Sequence, residues 1–186
     1  AMVAARDADN VFHEGAVAAR LADALPEGAV LCLGNSLPAR DIDTFTTSTG
    51  NAFRVLHQRG ASGIDGIVSG AAGVRSVTDR ACPVVAYLGD VSMLHDLGGL
   101  AAAARVTDGA LVVVVVDNGG GRIFEQLPLG RAASRDASLA ARFKQHFVTP
   151  QSCAFDDAAR AFGLRLSAPT TVADFDAALR EALRVD

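Results

Sequence analysis

Val84-Val85-Ala86-Tyr87-Leu88-Gly89-Asp90 and Leu111-Val112-Val113-Val114-Val115-Val116-Asp117-Asn118-Gly119-Gly120-Gly121 are the two stretches that decide the fold. Each is a short apolar run that ends in a polar residue next to glycine. Runs of this length, rich in β-branched residues and without polar alternation, read as strands buried on both faces of a parallel sheet. Asp90 and Asn118 are 28 positions apart (118 − 90). That is about one strand–helix–strand step, because parallel strands need a crossover of roughly a dozen or more residues. The spacing puts both side chains at one edge of one sheet, beyond the carboxyl ends of two parallel strands, where open α/β sheets bind ligands. A carboxylate and an amide oxygen converging there are hard donors suited to Mg2+ shared with phosphate groups. Ser92 and the residues after it read as a helix whose first amides face an anion, and Gly119-Gly120-Gly121 allows close approach of the backbone.

Outward from these stretches, helix-period and strand-like segments alternate, the pattern of an α/β domain with a mainly parallel sheet. Val11 to Leu25 reads as an amphipathic helix ended by Pro26-Glu27-Gly28. Ala29 to Leu33 reads as a buried strand, Phe53 to Leu56 as a short one, and Ser62 or Asp65 as the cap of a helix running to about Val77. Ser92 to Val106 reads as one helix and Ser152 to Phe162 as a capped one. Leu164 to Leu166 reads as a short strand, and Val172 to Leu183 as a final helix with Val172, Phe175, Leu179 and Leu183 inward. Arg131 to Arg142 lacks an apolar pattern and reads as mobile, or ordered only by a ligand or partner. Residues 1–10 read as a lead-in, with Ala1-Met2 a cloning remnant, and residues 11–186 as one domain.

The 186 residues suffice for one good core. A net charge of −4 with no Lys/Arg cluster excludes an electrostatic footprint for nucleic acid. Cys32, Cys82 and Cys153 lack metal-ligand spacing, and Cys32 and Cys82 fall in apolar runs where a reduced thiol packs as a small hydrophobe. No signal peptide or membrane-length apolar span is visible, so the expectation is a cytoplasmic protein. His13, His57, His95 and His146 form no ligand spacing.

The Gly89-Asp90 pair followed by Asn118 resembles the thiamine diphosphate signature. Three further strings resemble the branch of that family that works in menaquinone (vitamin K2) biosynthesis: Gly34-Asn35-Ser36-Leu37-Pro38-Ala39-Arg40, Arg59-Gly60-Ala61-Ser62-Gly63-Ile64-Asp65-Gly66 and Gly119-Gly120-Gly121-Arg122-Ile123-Phe124. The resemblance runs from about Phe12 to Leu183. Two departures stand out: Val91 occupies a position that is usually Gly in the wider family, and Gln58 one that is often Asn in the branch.

The resemblance implies a three-layer α/β/α fold with a central, mainly parallel sheet of about six strands. It implies thiamine diphosphate and Mg2+ (Mn2+ as a substitute), with Asp90, Asn118 and the carbonyl of Gly120 as metal ligands. Gly63, Ile64, Gly89, Val91, Ser92, Gly121, Arg122 and Ile123 then contact the cofactor. Ile64 is either a core residue or the apolar residue that bends the cofactor. Ser36, Arg40, Arg59, Ile123, Phe124 and Leu127 match substrate-binding positions. Arginine suits them because its planar fork pairs bidentately with a carboxylate, and Arg122 either adds a cation or faces solvent.

The implied substrates are 2-oxoglutarate and isochorismate, joined with loss of CO2. The pyrimidine-binding domain, with its activating Glu, is not found in this chain, so the resemblance implies a C-terminal fragment nearly inactive alone, from a homodimer or homotetramer. Three readings stay open beside it: a pyruvate-using relative of the acetolactate synthase type, a non-catalytic Mg-thiamine diphosphate module, and a dinucleotide-binding domain. The last lacks Gly-x-Gly-x-x-Gly after its first strand.

Overall fold

A computed structural model describes residues 12–47 and 50–184; the Val11 helix start and the 1–10 lead-in lie outside them. Four strands, β1 (Val30–Leu33), β2 (Arg54–His57), β3 (Val84–Gly89) and β4 (Leu111–Val116), form one parallel sheet in the order β2-β1-β3-β4. The order reverses after β2, between β1 and β3. Alternate residues of each strand serve opposite faces, the period-2 geometry of extended backbone. Leu31, Leu33, Val85, Tyr87, Val112 and Val114 pack with α1 (Glu14–Ala24), α2 (Leu37–Phe45) and α9 (Val172–Ala182). Val30, Cys32, Val84, Ala86, Leu88 and Val113 pack on the other face with α3 (Ile67–Val77), α4 (Asp90–His95), α5 (Gly99–Ala103) and α8 (Phe155–Ala161). The result is the expected three layers. Truncating a fully buried residue such as Leu31 or Leu88 would cost about 2–5 kcal/mol.

Several helix ends are set by polar side chains. The His13 imidazole accepts the Gly15 amide at the start of α1, and Thr171 accepts the Asp174 amide at the start of α9. Neither Ser62 nor Asp65 caps α3: Gly66 holds the N-cap at φ 67°, a left-handed position that glycine adopts without strain. Arg75 is 3% exposed near the end of α3. Its guanidinium donates to the carbonyls of Thr78, Asp79 and Cys82 and fixes the turn into β3.

Four further expectations are corrected. The sheet has four strands among the described residues, not about six: Leu164 packs into the second core, but Leu166 is exposed and 164–166 pair with no strand. A cavity of about 600 Å³ runs between this segment and β4. The Ser92–Val106 helix breaks into α4 and α5 because Asp96 turns to accept both the amide and the hydroxyl of Ser69 at 2.7 Å. At the break, a Cβ on Gly99 would lie 2.8 Å from Ser69 N, so α5 meets α3 backbone to backbone. Segment 131–142 is helical, in α6 (Pro128–Ala133) and α7 (Ala137–Phe143). Asp136 caps α7, and Ala133, Leu139, Phe143 and Val148 make a small separate core. Cys82 precedes β3 in a turn, whereas Cys32 is buried in β1, where burial pushes its thiol up to about 11.

Candidate functional site

All four strands run in the same direction, so the loops after them gather at one edge. There they line a cavity of about 390 Å³. The pairing of Gly89 with Val116 puts the two decisive loops level with each other. Asp90 is the first residue of α4 and is 3% exposed. One carboxylate oxygen accepts the Val91 amide at 2.8 Å and the other the Gly120 amide at 2.7 Å. Burial raises its pKa, opposed by the amides of Val91 and Gly120. A cation would offset that cost of burying charge.

Asn118 sits beside this pair. Its amide nitrogen donates to Glu14 Oε1 at 3.1 Å, and its Oδ1 is buried without a hydrogen-bond partner. A buried acceptor left unpaired costs about 1–3 kcal/mol. Such an atom calls for a partner, an ordered water or an ion being the usual ones. Gly120 holds φ 124°, and a Cβ there would lie 2.2 Å from the Val148 carbonyl oxygen. The adjacent Gly121 amide donates to the same oxygen at 2.7 Å. This glycine loop is clamped between Asp90 and the segment ending at Val148.

The cavity gathers Ser36, Arg40, Arg59, Ile64, Gly89, Asp90, Val91, Ser92, Asn118, Gly120, Arg122, Ile123 and Phe124. Three expected residues do not line it. Gly63 instead has its carbonyl accepting from Asn35 Nδ2. Gly121 is turned toward Val148. Leu127 is 47% exposed, because the 3-10 turn Arg122–Gln126 and the Pro128 start of α6 carry it to the surface.

The arginines differ in how they are held. Arg59 donates to Asn35 Oδ1 at 3.0 Å, and Arg40 to its own Ser36 carbonyl at 2.8 Å. Arg122, at the rim of the cavity, donates to the Asn118 carbonyl at 3.0 Å and pairs with Glu125 at 2.6 Å. Ser36 (φ 71°), just before the helix that carries Arg40, and Ser62 (φ 53°), in the loop that carries Arg59, hold left-handed backbone. Strain of this kind costs about 1–3 kcal/mol and gathers at ligand sites.

Three residues were not singled out from sequence. Asn35 is 3% exposed and ties the loop after β1 to the loop after β2; its signal was its place between Gly34 and Ser36. Glu14 reaches Asn118 across 104 positions, and nothing local announces it. Asp41 is 8% exposed, with its carboxyl pushed up to about 6 by burial and then by the charge of Glu14. Tyr87 lies under the same cluster, with its hydroxyl buried and unpartnered; burial, then Asp41 and Glu14, raises its pKa.

Comparison with known proteins agrees with this geometry. Residues 46–186 match the family described as thiamine pyrophosphate enzyme, C-terminal TPP binding domain. A 2-succinyl-5-enolpyruvyl-6-hydroxy-3-cyclohexene-1-carboxylate synthase from Sorangium cellulosum is 50% identical over 175 residues, covering 92% of this chain and 27% of the relative. The protein of the same name from Geobacillus kaustophilus is 42% identical over 172 residues, covering 92% and 28%. The chain thus spans about a quarter of the length of these relatives. Among solved structures, a thiamine diphosphate-dependent 4-hydroxybenzoylformate decarboxylase from Rhodococcus jostii superposes with a TM-score of 0.67 at 19% identity, covering 97% of this chain and 32% of that one. A benzoylformate decarboxylase from Polynucleobacter necessarius gives 0.64 at 20%, covering 92% and 31%. These two likenesses speak to the fold. With three quarters of its residues inside the family match, and its cavity at the edge where Asp90 and Asn118 meet, the chain belongs to the thiamine pyrophosphate enzymes, as their C-terminal TPP-binding domain.

Proposed function

We propose that residues 11–186 are the diphosphate- and Mg2+-holding domain of a longer synthase that decarboxylates 2-oxoglutarate and joins the remaining four-carbon unit to isochorismate, in menaquinone biosynthesis. The observation that carries the metal assignment is the buried, unpartnered Asn118 Oδ1 beside the buried Asp90 carboxylate. The residues fit the group. Asp90 and Asn118 supply two hard oxygens, and the Gly120 carbonyl a third. That carbonyl accepts the Arg122 amide at 2.8 Å, but a carbonyl has a second lone pair free for a cation. When bound, thiamine diphosphate supplies the electron sink for decarboxylation.

The chain's own residues then position and enclose. Asn35 holds the Arg59 guanidinium, which pairs with a carboxylate of substrate; Arg40, in the first turn of α2, and Ser36, just before it, offer a second polar contact. Ile64, Ile123 and Phe124 form the apolar wall that keeps water from the reacting centre. The substrate assignment is supported by the 50% and 42% identities to the two named synthases. The activating Glu belongs to a pyrimidine-binding domain of another subunit in a homodimer or homotetramer, so this segment alone has little activity.

The test is CO2 release by the full-length polypeptide with Mg2+ and thiamine diphosphate. Turnover of 2-oxoglutarate with isochorismate is expected, abolished by Asp90→Ala and weakened by Arg59→Ala mainly through KM for a carboxylate substrate. Turnover of pyruvate alone would leave the cofactor assignment standing and discard Arg40 and Arg59 as carboxylate readers.

A further inference from the structure

We propose that Glu14 is the positioning residue for the Asn118 amide, fixing which of its ends faces the metal; the inference rests on the metal assignment above. The two residues come from distant parts of the chain. Glu14 opens α1, and Asn118 follows β4. Their side chains meet with Asn118 Nδ2 donating to Glu14 Oε1 at 3.1 Å.

The consequence follows from the chemistry of the two groups. An ionised carboxylate only accepts hydrogen bonds, whereas an amide has one donating and one accepting end. Glu14 therefore dictates the orientation of Asn118. The NH2 group must face the carboxylate, which leaves Oδ1 on the opposite end of the amide. That oxygen is the buried atom without a partner, on a residue lining the same cavity as Asp90. A flipped amide would set its oxygen against the carboxylate and present NH2 toward a cation, unfavourable at both ends. Without Glu14 the amide could turn freely, and part of the population would present the wrong atom.

Glu14 is well placed for this work. It lies in the first turn of α1, where the helix dipole favours a carboxylate. The helix is held rigidly by Val17, Ala18 and Leu21 in the first core cluster. Such outer-shell partners of metal ligands typically change metal affinity by about 10- to 100-fold.

The test is Mn2+ binding to the full-length polypeptide in the presence of thiamine diphosphate, read from the electron paramagnetic resonance signal of free Mn2+. Activity plays no part in this readout. Glu14→Gln keeps the reach and an accepting oxygen but adds a donating end that a flipped Asn118 amide can use, so its binding should fall between that of the unaltered protein and that of Glu14→Ala. Glu14→Asp keeps the charge but is one methylene short. It and Glu14→Ala should weaken binding about ten-fold or more, with melting temperatures recorded alongside. If Glu14→Ala fails to fold, the contrast between Gln and Asp still decides. Binding by Glu14→Ala or Glu14→Asp equal to the unaltered protein, with Asn118→Ala impaired, would overturn the role of Glu14 and spare the metal assignment. Equal loss in Glu14→Gln and Glu14→Ala would overturn it too, by showing that charge rather than the accepting oxygen matters. Undiminished binding in Asn118→Ala would overturn the assignment on which the inference rests.

Discussion

Replacing Gly120 by alanine isolates the tightest point of the site. The residue holds φ 124°, a region in which a side chain costs about 1–3 kcal/mol. A Cβ would also sit 2.2 Å from the Val148 carbonyl oxygen, 3.2 Å from its carbon and 3.3 Å from Pro150 Cα. All three are backbone atoms, so no side chain can swing aside. Relief requires moving the 148–150 segment by about an ångström, at the expense of the Gly121 amide bond to Val148 O, 2.7 Å long, for about 1 kcal/mol. The sum is roughly 2–4 kcal/mol, a fall of about 5–15 °C in Tm at the roughly 2–4 °C per kcal/mol of a domain this size.

Gly119→Ala is the matched control. It also has positive φ (83°), but its Cβ meets nothing nearer than the Arg122 guanidinium at 3.8 Å, so it keeps only the conformational cost. Because the Gly120 amide donates to Asp90, Gly120→Ala should lose Mn2+ affinity together with stability, while Gly119→Ala loses less of both. Differential scanning calorimetry and Mn2+ titration read the two quantities. Indistinguishable melting and binding in the two variants would refute the clamp.

Two other perturbations probe the scaffold. Asp41 has a folded-state pKa of about 6, above the roughly 3.9 of an unfolded chain. Its contribution is therefore present below about pH 4 and lost as pH rises through about 6, leaving a cost of at most about 3 kcal/mol at neutral pH. Asp41→Asn should accordingly raise Tm at pH 7.5 and match the unaltered protein near pH 4; parallel pH profiles would contradict this. Arg75→Ala removes three hydrogen bonds to carbonyls from a side chain 3% exposed. It should cost about 3 kcal/mol or more in urea unfolding while leaving Mn2+ affinity unchanged once folded. An unchanged urea midpoint would show that the turn into β3 does not depend on it.

The parallel sheet was legible because β1, β3 and β4 are continuous apolar runs, β1 and β3 buried along almost their whole length, and the Asp90–Asn118 spacing carried the topology; the edge strand β2, mostly exposed, gave a weaker signal. Helix boundaries were legible where a side chain caps, as at Thr171, and illegible where a tertiary contact breaks the helix. Ser92–Val106 has good helical composition throughout, yet Asp96 prefers Ser69, a residue 27 positions earlier. Segment 131–142 carries no apolar pattern of its own because its small core draws on Phe143 and Val148, both beyond it. In the site, most residues followed from short strings that end strands. Leu127 did not, because a 3-10 turn changes which side a residue faces. Glu14 and Asp41 escaped because their significance lies in what the fold brings to them from α1, α2 and β3, and neither stands in a string that names chemistry.

The reading proposed above gives the divalent metal three oxygen ligands, from Asp90, Asn118 and the Gly120 carbonyl. The most direct measurement is the anomalous scattering map of crystals of the full-length polypeptide grown with Mn2+ and thiamine diphosphate. One strong peak is expected, bonded to all three oxygens at slightly more than the roughly 2.0–2.1 Å of Mg2+–oxygen bonds, with the Asn118 amide nitrogen still on Glu14. A peak bonded elsewhere, or a cofactor bound with no metal at these oxygens, would contradict that reading.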